Sequence, residues 1–119
     1  SVVDHEMPDS DLTSLNHKVQ RRFKRGDFSI EDCLDLHGLY SSKAKAVLQE
    51  FILEAFSENK RMLLVIHGKG YASVGKPKLK PMVLTYCAHE QNILAYHPAA
   101  GKHGGSGATY IWLRNPNKI

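Results

Sequence analysis

Short apolar runs alternate with stretches of helical periodicity between residues 30 and 114, and this alternation limits what the chain can fold into. Helical spacing of apolar residues covers 41–57, where Ser41 or Ser42 is the expected N-cap, and a shorter stretch at 79–89. Strand-like runs occupy residues 33–37, 62–67, 93–97 and 108–114. The resulting order β-α-β-α-β-β predicts an α/β fold, a two-layer sandwich in which both helices pack on a small mixed four-stranded sheet.

The segment before this pattern is different in character. Residues 1–10 are polar and acidic, which predicts a disordered leader. Residues 11–29 form a predicted helical extension, an appendage to the domain at 30–119. Its helix should span residues 11–24, begin at Ser10 and end at Gly26. The apolar residues expected on one face of that helix are Leu12, Leu15, Val19 and Phe23.

Positive charge is concentrated in two parts of the chain. Residues 60–119 carry 9 Lys/Arg and 1 acid, whereas residues 1–59 carry 7 Lys/Arg and 11 acids. Five further cations crowd residues 18–25, where they either complement the helix dipole or form an arm that faces phosphate. Such a distribution favours a polyanionic partner such as nucleic acid, although a merely basic surface is the alternative.

Composition excludes several other classes of protein. No apolar run approaches the ~20 residues that span a bilayer, so we expect no membrane partner. Cys33 and Cys87 match no metal-ligand spacing, which is typical of free thiols in a reducing cytoplasm.

The first motif with chemical content is Asp35-Leu36-His37-Gly38. Residues i and i+2 of a strand share a face, so the carboxylate and the imidazole should stand side by side. A carboxylate orients a neighbouring imidazole and favours its protonated form, which suits acid/base catalysis. The alternative is a half-buried polar pair that closes a strand.

Two glycine-containing motifs follow the later strands. His67-Gly68-Lys69-Gly70 repeats the pattern of a histidine and a glycine at a strand end, and parallel neighbours would bring His67 to the edge that carries His37. Gly104, Gly105 and Gly107 precede the fourth strand, where their N–H groups are candidates for a phosphate-binding nest, with a flexible loop as the alternative. Lys102, just before that loop, adds a long cationic side chain that is a candidate to bind phosphate.

These three blocks, at 34–39, 67–70 and 104–109, resemble in order and separation the motifs of the Smr (small MutS-related) domain family, stand-alone bacterial type. The resemblance covers about residues 30–115 and implies a fold like the carboxyl domain of translation initiation factor three. It also implies nucleic-acid binding and, in many members, endonuclease or nicking activity on DNA or RNA. Tyr86 departs from the tryptophan expected in the second helix. Nothing resembles the ATPase motif of full-length MutS paralogues.

Together the motifs predict phosphodiester cleavage by acid/base chemistry. His37 would transfer a proton while Asp35 orients it, and His67, Lys69 and the glycine-loop amides would stabilise the phosphate. No cofactor is required in this scheme, although a single Mg²⁺ or Mn²⁺ held by Asp35 and His37 remains the alternative. The cations expected to track the nucleic-acid backbone are Lys76, Lys78 and Lys80, with a solvated basic loop as the alternative, and Lys102 is a further candidate for binding phosphate.

Two rival functions remain open at this point. The first is a non-catalytic module that binds nucleic acid or the ribosome, and the second is a protein-interaction domain that uses the helix at 11–24. Ribosomes and repair machinery are the larger partners we expect, and the chain is expected to be a cytoplasmic monomer.

Overall fold

The computed structural model describes residues 4–69 and 79–117, and they form the predicted alternation of strands and helices. Each element lies within one or two residues of its expected bounds after residue 30. No helix in the described ranges is long and apolar enough to cross a membrane. The elements are α1 (His17–Arg25), β1 (Asp32–Asp35), α2 (Ser41–Ser57), β2 (Met62–Ile66), α3 (Leu79–His89), β3 (Ile93–Pro98) and β4 (Ala108–Leu113).

The four strands form one mixed sheet in the order β1-β2-β4-β3. Strand β1 is parallel to β2, whereas β4 is antiparallel to both β2 and β3. The parallel first pair and the hairpin-like last pair are as predicted. Strands β1, β2 and β3 therefore end at the same edge of the sheet, where β4 begins. We call this the C-terminal edge.

Helices α2 and α3 cover one face of the sheet, which confirms the predicted α/β fold class. The predicted two layers become three, because the other face is covered as well. Their apolar side chains pack on alternate residues of the strands, including Leu63 and Val65 of β2. Ile52 belongs to the buried face of α2. Tyr40 occupies the N-cap position without a side-chain bond, so the serine cap predicted at Ser41 or Ser42 is wrong.

The other face of the sheet is covered by the N-terminal segment, which is therefore not an appendage. Phe23 of α1 is 2% exposed, and its ring lies 5.5 Å from that of Trp112. Phe28, which follows α1, packs on the same side against Trp112. A strand buried on both faces needs two covering layers, and α1 with the chain after it supplies the second.

The helix predicted at 11–24 is divided in two. A 3₁₀ helix spans Asp11–Leu15 and begins at Ser10, whose Oγ accepts from the Leu12 N–H as expected. Asn16 then caps α1 by accepting from two backbone N–H groups. This break leaves Leu12 and Leu15 77% and 74% exposed, so the predicted apolar face holds only for Val19 and Phe23. Gly26 ends α1 at φ 72°, as predicted.

The N-terminal segment is tied to both ends of the sheet. Opposite the C-terminal edge, buried Arg61 binds the Asp11 carboxylate at 2.7 Å and the Pro8 carbonyl. Residues 4–10, which we predicted to be disordered, are held there partly by these bonds. At the C-terminal edge, Gly26 lies so close to the Tyr110 hydroxyl that a side chain would collide with it. Helix α1 therefore runs across the sheet toward the C-terminal edge.

This packing predicts that the N-terminal segment contributes to global stability. Phe23→Ala should lower the free energy of unfolding by about 3 to 5 kcal/mol, because it leaves a cavity beside Trp112. The measurement is urea unfolding followed by circular dichroism. Leu12→Ala, in the same segment but exposed, should change stability by less than about 0.5 kcal/mol. Equal small effects would contradict an integral role for α1.

Candidate active site

Asp35 and His37 form a hydrogen-bonded pair at the end of β1. His37 Nδ1 lies 2.6 Å from Asp35 Oδ1, which also accepts from the His37 backbone N–H at 3.0 Å. The chain turns immediately after Asp35, so the pair is held by this double hydrogen bond and not by a continuing strand. The His37 side chain is 70% exposed, which leaves Nε2 open to an incoming substrate.

The electrostatics of the pair follow from its geometry. The hydrogen bond from His37 holds the pKa of the Asp35 carboxyl below its ordinary value, with burial opposing the shift. Asp35 therefore stays ionised around neutral pH and serves as an acceptor for Nδ1–H. This fixes the ring orientation and directs Nε2 outward, which is the arrangement required of an acid/base imidazole.

The motif that follows β2 lies beside this pair. Gly68 has φ 80°, and a Cβ built there would lie 3.7 Å from Cβ of His37. A Cβ built on Gly107 would lie 3.3 Å from Cγ of exposed Lys69. Both glycines thus permit close approach of three chain segments, and the structure brings His37, Gly68, Lys69 and Gly107 together at the C-terminal edge as predicted.

His67 reaches the same edge, but its ring points into the protein. The residue is 3% exposed, its Nδ1 donates to the Gly68 carbonyl, and the Thr109 hydroxyl lies 2.9 Å from Nε2. Burial lowers the pKa of this imidazole, and the nearby charge of Lys80 lowers it further. Both ring nitrogens are occupied, so the described geometry does not present His67 to a phosphate.

The glycine-rich connection is not an open nest of amides. It forms two short 3₁₀ helices, and the N–H groups of Gly104, Gly105 and Gly107 donate to backbone carbonyls of the same loop. The carbonyl of Gly107 accepts from the N–H groups of His67 and Gly68. Through the Gly107 carbonyl, the loop holds the end of β2 in place. The three glycine amides are already hydrogen-bonded within the loop, so they are not available to bind phosphate as predicted.

The remaining predicted cations occupy different places. Lys80 lies half-buried in the first turn of α3, near His67. Lys102 is exposed at the other end of the glycine-rich connection, with Nζ 4.0 Å from Asp27. Gly70, Lys76 and Lys78 lie outside the described residues.

Thr109 is the residue of this edge to which the sequence analysis assigned no role. It is buried at the start of β4 and hydrogen bonds across the strand boundary to His67. Its position inside the third glycine block was the available signal. The role of the Thr109 hydroxyl becomes clear only from the structure, which buries the His67 imidazole beside it.

The donor set for a metal ion is small. Among residues 4–69 and 79–117, no three His, Cys, Asp or Glu side chains are grouped as metal ligands. Asp35 and His37 would bind an ion only by giving up the bond between Oδ1 and Nδ1, or through the second carboxylate oxygen and Nε2.

Comparison with known proteins identifies the family. The family model described as the Smr domain matches residues 34–114, a range that contains the three sequence blocks and the whole C-terminal edge. Among curated relatives, the ribosome rescue factor SmrB of Vibrio cholerae is 34% identical over 98 residues, covering 82% of this chain and 50% of its own length. An uncharacterized protein of Treponema pallidum is 37% identical over 68% of this chain and 40% of its own length. The chain thus spans about half the length, or less, of these relatives.

Solved structures agree with the fold. YdaL, a stand-alone small MutS-related protein from Escherichia coli, is 29% identical with a TM-score of 0.72, covering 84% of this chain and 77% of its own. The Smr domain of Thermus thermophilus MutS2, at 24% identity and a TM-score of 0.62, supports the fold alone and covers 70% of this chain and 98% of its own. Similarity to the carboxyl domain of initiation factor three stays a prediction.

The buried state of His67 gives a direct test by nuclear magnetic resonance of the imidazole nitrogens. At pH 7 the ring should be neutral with its proton on Nδ1, and it should titrate below 6.5. As the pH falls, the unfolded chain takes up this proton before the folded protein does, so the free energy of unfolding should decrease at pH values below 6.5. Above pH 6.5 the ring is largely neutral in both states, and its contribution to stability should not change with pH. A ring protonated on Nε2, or titrating above 6.5, would contradict the buried, doubly hydrogen-bonded state of His67.

Proposed function

Because the chain belongs to the Smr domain family, we propose that it is a nucleic-acid-binding endonuclease that uses His37 as its acid/base group. The observation that supports this most is the exposed Asp35–His37 pair beside Gly68 and Lys69. Phosphodiester cleavage needs a fixed imidazole, a flanking cation and a backbone without side-chain obstruction, and Nε2 of His37 has no hydrogen-bond partner among residues 4–69 and 79–117.

The chemistry fits RNA better than DNA. In RNA the 2′-hydroxyl supplies an internal nucleophile, so one well-placed base begins the reaction without a metal-bound water. His37 Nε2 would take the 2′-hydroxyl proton, and the 2′ oxygen would form a bond to phosphorus. The bond to the 5′ oxygen would break, that oxygen would take a proton from water or from the His37 imidazolium, and a 2′,3′-cyclic phosphate would remain. Lys69 would stabilise the extra negative charge of the transition state.

Of the two histidines assigned to catalysis from the sequence, only His37 retains that proposed role. We propose that His67 is a positioning residue. Its bonds to Thr109 and to the Gly68 carbonyl hold the end of β2 in the conformation that lets Gly68 approach His37.

A binding module without catalysis is the second candidate, and the buried state of His67 favours it. Acid/base cleavage commonly uses one group to remove a proton and another to supply one, and of the two histidines predicted to be catalytic only His37 is accessible. Under this alternative, Lys69 and the exposed edge would hold a phosphate with no reaction.

Cleavage assays with labelled RNA and supercoiled DNA separate these functions. His37→Ala should reduce RNA cleavage by about 10²- to 10⁴-fold while affinity changes little, because the ring is exposed and supports no packing. Asp35→Asn should cause a smaller loss, since Nε2 remains in place. His89→Ala, an exposed histidine at the end of α3, is the matched control and should cleave as wild type.

Product and metal dependence complete the test. Cleavage should persist in EDTA and leave a 2′,3′-cyclic phosphate. Strict dependence on Mg²⁺ or Mn²⁺ would contradict the metal-free mechanism, and nicking of DNA without RNA cleavage would contradict the internal nucleophile. Binding without cleavage of either substrate would establish the binding module.

The cellular substrate and location are also proposals. The printed name of the SmrB relatives, ribosome rescue factor, leads us to propose ribosome-associated RNA in the cytoplasm as the site of action. Cosedimentation of His37→Ala protein with ribosomes, with and without prior nuclease treatment, tests this assignment. We retain the monomer as a prediction.

A further inference from the structure

The exposed surface of α1 consists of basic side chains. Five of the nine residues of α1 are exposed, and every one is basic. The helix places them on the side opposite buried Phe23, since they lie between about 100° and 220° around the axis from it. The exposed residues are His17, Lys18, Arg21, Lys24 and Arg25.

Stability of the helix does not explain this arrangement. Cations complement the dipole only in the last turn, whereas His17 and Lys18 stand at the first. Arg21 lies three residues from Lys18 and four from Arg25, and like charges at these spacings each cost about 0.2 to 0.5 kcal/mol. A polyanion bound along the face would remove this repulsion.

The protein neutralises only the end of this surface. Arg25 Nε lies 2.9 Å from Asp27, and Arg22, on the inner side, stacks on the Phe28 ring and binds the Asp4 carbonyl. Within the described ranges, no acidic side chain comes within 4.0 Å of the charged groups of the three other cations, which are Lys18, Arg21 and Lys24.

The tertiary structure joins this surface to the candidate active site. The C-terminal end of α1 abuts the glycine-rich connection, where Gly26 packs against Tyr110 and His103. Lys102 of that connection faces Asp27 just after α1. The same connection ends at Gly107, whose carbonyl binds the His67 and Gly68 N–H groups beside the Asp35–His37 pair. A single nucleic-acid strand that leaves the Asp35–His37 pair and crosses the glycine-rich connection would therefore reach the C-terminal end of α1.

We propose that the exposed face of α1, together with Lys102, is a second binding tract that holds the sugar-phosphate backbone of a single-stranded nucleic acid engaged at the C-terminal edge. The proposal rests on the proposed function for its substrate class. The tract extends the contact by about 14 Å, the length of α1. It recognises phosphate and not base identity, because the exposed groups other than the His17 imidazole are ammonium and guanidinium ions, and the helix exposes no Phe, Tyr or Trp.

Binding of single-stranded RNA by the full chain tests the tract, with His37→Ala as the background so that no cleavage occurs. Reversal of two charges in Arg21→Glu/Lys24→Glu should weaken affinity about tenfold and reduce the slope of log affinity against log salt by about 1.4. The charge-preserving pair Arg21→Lys/Lys24→Arg should keep wild-type affinity and slope. The measurement is fluorescence anisotropy over a salt series.

Lys43→Glu/Lys45→Glu is the matched control, because it reverses the same number of exposed charges on α2, across the sheet from α1. This pair should leave affinity within about twofold of that of the background protein. An equal loss of affinity in both charge-reversal variants would show that only the net charge of the protein matters, and would overturn the proposal. Unchanged affinity in the α1 reversal, with a native circular dichroism spectrum, would also overturn it. Weakened binding by α1 reversal would support the tract even where wild-type protein proves not to cleave, so the two proposals fail separately.

Discussion

Strand β4 lies inside the sheet and is buried along all six of its residues, so both of its faces must be covered. Ile111 and Leu113 face α2 and α3, whereas Tyr110 and Trp112 face the other way. Two helices can cover only one side. The chain therefore uses its N-terminal segment as the second layer, and Phe23 is the side chain that fills the space against both aromatic rings.

The same strand organises the C-terminal edge. Thr109 hydrogen bonds to the His67 ring, and Gly107 just before β4 accepts from the end of β2. These contacts hold Gly68 against His37, which follows the edge strand β1 and stays exposed. The buried pair of inner strands thus supports the accessible Asp35–His37 pair at the end of the outer strand. On the back of the sheet, the packing that buries Phe23 turns the cations of α1 outward.

Much of this could be predicted because it depends on local periodicity. Strand and helix bounds after residue 30 follow from the spacing of apolar residues. The Asp35–His37 contact was also predicted, although a local double hydrogen bond holds it in place of the expected strand geometry. His67 and the glycine-rich connection could not be predicted in the same way. Whether an imidazole points outward or inward, and whether an amide is free or already bonded, depends on partners such as Thr109 that lie far along the chain.

The sequence by itself determined the order of the elements, the parallel first pair of strands, the three motifs and the charge of the second half of the chain. Tertiary structure alone decided that the N-terminal segment is a layer of the fold, that the His67 ring is buried, and that Arg22 is used internally while Arg21 faces outward. The reason is physical. Backbone geometry imposes its periods over a few residues, whereas burial and hydrogen-bond partners are properties of surfaces that meet only after the chain has folded.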